Sequence, residues 1–142
     1  MSNNNNNNNQ TLDLNAVEYD VYTSTEGIKR QEVIEVKEGV TDKGYLSFRL
    51  KLQDQNGEVS FEDFDLSVYG QRKIKKFCEK TQVFTEKEMS QFNHYNFLGK
   101  KYEVEYFLMA NKHHEPTNPN SRTHILVIGN KTYAPIKESK KA

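Results

Sequence analysis

Hydrophobic and polar residues alternate with a strict period of two along residues 44–53. The apolar positions of this stretch are Leu46, Phe48, Leu50 and Leu52. Because successive side chains of a strand point to opposite faces, the pattern predicts a strand with one buried face. Residues 28–40 are rich in β-branched side chains and predict an earlier strand that ends near Gly39.

A hairpin is expected after residue 53, because Asn56-Gly57 is the sequence that a type I′ turn prefers at its two positive-φ positions. A third strand then covers residues 58–66. Its apolar residues change parity between Phe61 and Phe64, so the pattern predicts a β-bulge near residues 62–63.

The type I′ register also predicts which charges meet across the hairpin. Lys51 then lies opposite Glu62, and Asp65 lies near Arg49 or Ser47. Cross-strand ion pairs of this kind would neutralise much of the polar face of the second strand.

The period changes to that of a helix after residue 68. Ile74, Phe77 and Cys78 are spaced i, i+3, i+4, which predicts a short amphipathic helix whose outer face is cationic. Thr85 and Glu88 have the spacing of a capping box and predict a second short helix. Cys78, the single cysteine, is expected to be a buried small hydrophobe that forms no disulfide within the chain.

Two further strands are predicted near the end of the chain, over residues 100–112 and 123–130. In the first of them Tyr102, Val104 and Leu108 share one face. Tyr106 has the same parity and is expected in the core, whereas Phe107 and Met109 face outward and could cover the helical segment. The order is mainly β: three strands, a helical insert between strands 3 and 4, and two strands. This is the order of a five-stranded OB-fold-like barrel.

The ends of the chain differ in composition from its centre. Residues 1–11 contain an asparagine run with little apolar surface to bury, so they predict a disordered tail. A single domain is expected over residues 12–136, followed by a short basic tail at 137–142. The sequence shows no signal peptide and no apolar run that could span a bilayer, which favours the cytoplasm.

Charge is balanced overall but not along the chain. The formal net charge is zero, yet residues 1–66 carry 6 basic and 13 acidic side chains, and residues 67–142 carry 14 basic and 7 acidic ones. Such asymmetry favours a polyanionic partner, although the two halves could also fold together and mix their charges.

The candidate binding residues combine cations with aromatic rings, the combination that single-stranded nucleic acid binders use for phosphates and bases. They lie on the second strand and the turn before it, on the cationic helix, and in the polar loop 111–122. The set is Lys43, Tyr45, Arg49, Lys51, Arg72, Lys73, Lys76, Lys112, His113, His114 and Arg122. Lys43 and Tyr45 are the freest of these, because Arg49 and Lys51 face acidic residues across the hairpin.

The sequence contains no recognisable catalytic or metal-binding motif. The histidines and the glutamate of residues 113–124 are residue types that bind zinc. However, adjacent histidines point to opposite sides of an extended chain, and no cysteine accompanies them. No nucleophile–base motif or glycine-rich phosphate loop is present. The sequence therefore predicts a non-enzymatic protein without a metal or another cofactor.

Residues 28–129 resemble the small OB-fold, single-stranded DNA-binding-like proteins of tailed bacteriophages. The resemblance rests on the strand "GYLSFRLKL", the hairpin into "FEDFDL", the helical "KIKKFCEK" and the strand opening "FLGKKYEVEY". It implies binding of single-stranded DNA, in preference to RNA, during phage replication or recombination in the host cytoplasm. Replication or recombination proteins would then be further partners.

Two other functions remain open at this point. A protein–protein interaction module could use the same barrel, because strand edges and loops bind proteins as readily as nucleic acid. A virion assembly component, with the asparagine run as a spacer, is the third interpretation. The basic C-terminal tail could add non-specific affinity for phosphates if nucleic acid is the partner.

Overall fold

Five strands form one antiparallel sheet in the computed structural model, which describes residues 11–16, 18–110, 117 and 126–136. The strands are β1 (Gly27–Val40), β2 (Leu46–Asp54), β3 (Val59–Asp65), β4 (Lys101–Ala110) and β5 (Leu126–Ala134). Their order across the sheet is β3-β2-β1-β4-β5, so β1 is central and β3 and β5 are the edges. The five predicted strands are thus confirmed, and β5 continues beyond its predicted end.

The sheet curls because β1 is long and pairs with β4 along its first part and with β2 along the rest. Residues 27–32 of β1 pair with β4, and residues 31–40 pair with β2. A register shift between Val33 and Glu35 marks an irregularity that increases local twist. The result is a curled half-barrel of antiparallel strands. Within the described residues no main-chain ladder joins β3 to β5, so the closed barrel of the OB fold is not established.

Two α-helices, α1 (Val68–Thr81) and α2 (Glu86–Ser90), and a 3-10 helix (His94–Phe97) lie between β3 and β4 in the chain. Ser67 caps α1 by accepting a hydrogen bond from the Gly70 N–H. The predicted capping box of α2 is confirmed, with Thr85 and Glu88 bonded reciprocally. Among the described residues, no helix combines the length and the apolar character needed to cross a membrane.

Helix α1 contacts both edge strands, β3 and β5. It therefore lies beside the open side of the sheet, between β3 and β5. Its position in space differs from that of the helix in a simple OB barrel. Ile74, Phe77 and Cys78 are buried on the inner face of the helix, as their spacing predicted. Burial raises the pKa of the Cys78 thiol to about 12, so it packs as a neutral side chain.

Aromatic side chains dominate the core. Phe97 has ring contacts with Phe48, Phe64, Phe77, Phe84 and Phe92 at centroid distances between 4.7 and 6.5 Å. The predicted inner face of β4 is confirmed by the buried Tyr102, Val104 and Tyr106. Phe107 and Met109 are exposed on the other face, where Met109 lies against Gly129 of β5 and not over the helices.

The β2–β3 turn differs from the predicted type I′ turn. Only Gly57 has positive φ, at +82°, whereas Asn56 does not. The Gly57 N–H donates to the Asp54 carbonyl, and the Asp54 N–H donates to the Glu58 carbonyl. This is the type I turn followed by a left-handed glycine that forms a G1 bulge. Asn-Gly suits both turns, which is why the sequence did not separate them.

The different turn shifts the register by one residue, and a shift of one residue exchanges the two faces of a strand. Lys51 lies opposite Phe61, not Glu62, and Arg49 lies opposite Asp63. The predicted Lys51–Glu62 pairing is therefore wrong. Asp65 pairs with Ser47, one of the two positions expected for it.

The predicted bulge near residues 62–63 is also wrong, since β2 and β3 pair without interruption. The parity of the apolar residues changes because both faces of β3 are covered. Phe64 faces the core, whereas Val59 and Phe61 face outward and are covered by residues 21–23. One face of β3 is covered by the core and the other by residues 21–23. This explains the change of apolar parity without an extra residue.

The new register turns Glu62 toward the inside of the curled sheet, where it joins the two edge strands. Its carboxylate accepts hydrogen bonds from the Tyr133 hydroxyl at 2.6 Å and from Lys131 Nζ at 3.1 Å, both on β5. Burial and the Glu62 carboxylate raise the pKa of Tyr133, so its hydroxyl stays protonated and donates. Ser60 and Tyr106 form a second polar contact across the same interior, at 3.1 Å.

Substitutions at the turn distinguish the two turn types. Gly57→Ala is expected to cost about 1–2 kcal/mol of unfolding free energy, because an alanine at positive φ is strained. Asn56→Ala is expected to cost clearly less, since its backbone is not left-handed. Urea denaturation of both variants measures this, and equal losses would favour the type I′ turn.

Removal of the Glu62 carboxylate tests the contact between the edge strands. Glu62→Ala is expected to lower the unfolding free energy by about 2–3 kcal/mol, since Tyr133 and Lys131 lose a charged acceptor in a half-buried place. Asp63→Ala is the matched control: it is the next residue, on the exposed face, and its ion pair is worth less than about 1 kcal/mol. Equal losses in urea denaturation would mean that Glu62 does not hold the edges together.

Candidate functional site

Two adjoining cavities open at the outer surface of the protein where the β1–β2 loop, the strands β1, β2 and β3, and the start of α1 meet, and one of them reaches the core residues Phe48 and Phe64. Their volumes are about 450 Å³ and about 570 Å³, and they share Thr41, Asp65 and Tyr69 in their linings. We call the combined cleft the outer groove. Its cationic and aromatic lining residues are Lys37, Lys43, Tyr45, Arg49, Tyr69 and Lys73.

The loop between β1 and β2 holds Lys43 and Tyr45 at one end of the outer groove. The loop is a compact turn: the Thr41 N–H donates to the Tyr45 carbonyl at 2.8 Å, and the Gly44 N–H donates to the Thr41 carbonyl at 2.9 Å. The Thr41 hydroxyl also accepts from the Tyr45 N–H at 3.0 Å. These bonds fix the backbone of Tyr45 while 45% of the residue stays exposed.

The first turns of α1 bring Tyr69 and Lys73 to the groove. Residues four apart lie on the same side of a helix, so the tyrosine and the lysine are neighbours. Tyr69 is 72% exposed. The helix approaches β3 closely at Gly70, where an added Cβ would lie 2.1 Å from the Asp65 carbonyl oxygen. A glycine at this position therefore sets how near Tyr69 stands to the sheet.

The outer side of the sheet supplies Lys37 and Arg49, which are cross-strand partners in β1 and β2. The Arg49 guanidinium is held by Asp63 of β3 in a two-pronged contact, at 2.7 Å from Nε and 3.1 Å from Nη2. It also lies 4.9 Å from the centre of the Phe61 ring. Arg49 thus faces an acid, as predicted, but that acid is Asp63 and not Asp65.

Three lysines of the outer groove are not neutralised in this way. Lys37, Lys43 and Lys73 form no ion pair with any described residue. Lys73 Nζ lies 5.9 Å from the centre of the Phe64 ring, on the core side of the sheet, whereas Lys37 has the parity of the outer face. These three charges are the ones that a bound anion could meet.

Carboxylates also line the groove, and most of them have partners. Asp63 is bound to Arg49, and Glu38 accepts from the Tyr95 hydroxyl. Asp65 accepts from the Ser67 hydroxyl and backbone N–H, which together lower its pKa, with a smaller contribution from Lys73. Asp65 therefore stays ionised and anchors the start of α1 through Ser67.

The remaining predicted binding residues lie elsewhere. Lys51 is on the outer face but outside the groove, and Asp20 holds it at 2.9 Å. That hydrogen bond is the main reason why the pKa of Lys51 is raised. Arg72 and Lys76 are exposed on α1 but line neither cavity. The loop candidates lie outside the described residues; they are Lys112, His113, His114 and Arg122.

Sequence reasoning missed Tyr69 and Lys37. The spacing of Tyr69 and Lys73 on a predicted helix was a usable signal for the first. Lys37 had no such signal, because its place opposite Arg49 depends on the length and geometry of the 41–45 loop. Sequence periodicity does not report that register.

The described residues contain no group of three potential metal ligands. The histidines at 113 and 114 and their acidic neighbour lie outside that part of the chain. In the described part the groove is lined by lysines, tyrosines, one arginine and several carboxylates.

Comparison with known proteins gave no match, either to a protein-family model or to a curated protein sequence. The resemblance to phage OB-like proteins consequently stays a prediction, and the functional argument depends on the groove itself.

Substitution of Gly70 tests the close approach of α1 to β3. An alanine in a helix normally stabilises relative to glycine by up to about 1 kcal/mol. At position 70 the opposite sign is expected, with a loss of about 1–3 kcal/mol, because the new methyl group would overlap the Asp65 backbone.

The control is Glu79→Ala, at an exposed position of the same helix, which is expected to change stability by less than about 0.5 kcal/mol. Thermal and urea unfolding of both variants measure the difference. A stabilised Gly70→Ala protein would show that the helix does not lie against Asp65.

Proposed function

We propose that this protein binds single-stranded nucleic acid, with DNA as the expected ligand, through the outer groove and with little sequence preference. The single observation that carries the proposal is that two exposed tyrosines, Tyr45 and Tyr69, line one cleft together with three lysines, Lys37, Lys43 and Lys73, that form no ion pair with a described residue. Aromatic faces stack on any base, and lysines meet the phosphates between bases. The resemblance described above extends this to a role in phage DNA replication or recombination.

The tyrosines would supply most of the short-range affinity. Stacking of one base on an aromatic side chain contributes about 1–3 kcal/mol. Tyr45 and Tyr69 stand on separate elements that line the same cavity, so a flexible strand can reach both while its backbone passes between them. A duplex presents no free base faces, which is why the groove favours single strands.

The lysines would supply a weaker, salt-dependent contribution. Three phosphates neutralised by Lys37, Lys43 and Lys73 predict a slope of about −2 for log K against log salt on a single strand. Carboxylates at the groove edge oppose phosphate binding, so we expect moderate affinity at physiological salt. Basic residues at 137–142 and in the 111–122 loop could add to it.

A protein–protein interaction is the second candidate function, and the acids of the groove favour it. Glu38, Asp42, Asp63 and Asp65 line the same cavities as the cations. A surface with mixed charges suits a protein partner that offers both signs. The two functions differ sharply in how binding responds to salt and to loss of a tyrosine.

Fluorescence anisotropy with a labelled oligothymidine separates the two functions. Affinity is expected to fall about 20-fold between 50 and 200 mM salt, as three phosphate contacts require. Tyr69→Ala is expected to weaken binding about tenfold, and Lys73→Gln to make the salt slope shallower.

Two exposed residues outside the groove provide matched controls: Phe107→Ala for the aromatic change and Lys87→Gln for the charge change. Each should leave affinity within about twofold of the starting protein. Absence of binding at 50 mM salt, or equal losses in groove and control variants, would contradict the proposed function.

A further inference from the structure

An extended segment before β1, residues 18–23, lies along the exposed edge of β3. Val21 accepts a hydrogen bond from the Val59 N–H at 2.7 Å, and the Thr23 N–H donates to the Val59 carbonyl at 3.0 Å. Tyr22 and Val59 form an isolated parallel bridge. We call residues 18–23 the N-terminal arm. It is attached to the edge of the sheet by these two main-chain bonds.

Two side chains of the arm cover residues on the outer face of the hairpin. The Asp20 carboxylate lies 2.9 Å from Lys51 Nζ. The Tyr22 ring lies 6.1 Å from the ring of Phe61, at an interplanar angle of 42°. The arm therefore places one anionic group on a cation and one aromatic ring near another aromatic ring.

The covered surface has the chemistry of a nucleotide-binding position. Lys51 and Phe61 are direct cross-strand partners. The Arg49 guanidinium lies 4.9 Å from the centre of the same Phe61 ring. A cation beside an aromatic ring is what a phosphate and its base require. Arg49 also lines the outer groove, so this surface continues the groove along β2 and β3.

We infer that Lys51 and Phe61 form a further nucleotide subsite, and that the N-terminal arm occupies it as an internal mimic of the ligand. The Asp20 carboxylate stands where a phosphate would bind, and the Tyr22 ring stands where a base would stack. A strand that fills the outer groove and extends toward Lys51 must displace the arm. The inference rests on the proposed function, because it assigns a second subsite and a competitor to the same ligand.

Few contacts hold the N-terminal arm against the sheet. Its side chains remain largely exposed, with Val21 63% and Tyr22 58% accessible. The only ion pair that it makes with a described residue is the one to Lys51. Leu12 and Leu14, before the arm, are also exposed and add no packing. Release breaks the two main-chain bonds to Val59, uncovers the Val59 side chain and frees the surface formed by Lys51 and Phe61.

Asp20→Asn tests the competition in the full-length chain. Removal of the carboxylate is expected to raise the affinity for a labelled oligothymidine about twofold to fivefold, the range of one surface ion pair. Glu18→Gln is the control, because it removes the same charge from an exposed arm residue that is in no ion pair with a described residue. In a Lys51→Gln background the gain from Asp20→Asn should disappear, as expected of two residues that act through each other.

Three outcomes distinguish the internal mimic from the proposed function. Equal affinities of the Asp20→Asn and Glu18→Gln proteins, both able to bind, would overturn the internal mimic and leave the proposed function in place. Failure of every variant to bind at low salt would overturn both. Binding by Asp20→Asn but not by the starting protein would support both, with an arm that masks its subsite strongly.

Chymotryptic cleavage after Tyr22 gives a second readout that does not depend on affinity. Displacement of the arm predicts faster cleavage there when oligothymidine is added, relative to cleavage after the already exposed Tyr19. Unchanged or slower cleavage after Tyr22 at saturating ligand would overturn the inference.

Discussion

The pairing register of β2 and β3 decides what each face of this hairpin can do. It is set by a single left-handed glycine, Gly57, which closes a type I turn with a G1 bulge. Because side chains alternate along a strand, the opposite choice of turn would exchange the two faces of β3 relative to β2. In the observed register Glu62 points inward and Asp63 points outward, and these two acids then have different roles.

The inward acid compensates for the open side of the sheet. The edges β3 and β5 are not joined by a main-chain ladder in the described residues, yet Glu62 binds Lys131 and Tyr133 across the interior. Helix α1 contacts the same two edges and adds apolar packing through Phe77, whose ring lies 5.0 Å from that of Tyr133. A half-barrel can therefore keep its curvature without the continuous hydrogen bonding of a closed barrel. The outward acid holds Arg49, and under the proposed function this leaves the binding of anions to the lysines nearby.

Much of the fold could be predicted from periodicity alone, because the strands around Phe48 and Val104 and the helix around Ile74 each bury one clear face. The turn type could not, since Asn56-Gly57 is compatible with two geometries that differ by one residue in register. Of the candidate site, Lys43, Tyr45 and Lys73 were found from local chemistry. Lys37 was missed because it reaches the groove only through tertiary pairing, and Tyr69 because its aromatic ring was not connected with the cation one turn later. The N-terminal arm has neither a helical nor a strand period, so only its contacts with Val59, Lys51 and Phe61 reveal it.

The central claim is that one register turns Glu62 inward, where it joins the two edge strands, and turns Asp63 and Arg49 outward, beside the groove that we propose binds a nucleic acid strand. An amide chemical-shift titration of isotopically labelled protein with oligothymidine tests it most directly, because it reports both faces of the hairpin at once. The account predicts large, saturable shifts along the outer groove, at residues 43–49 and 69–73, with little change at Glu62 and Tyr133. Shifts concentrated at Glu62, Tyr133 and the rest of β5, with the groove residues unmoved, would contradict it.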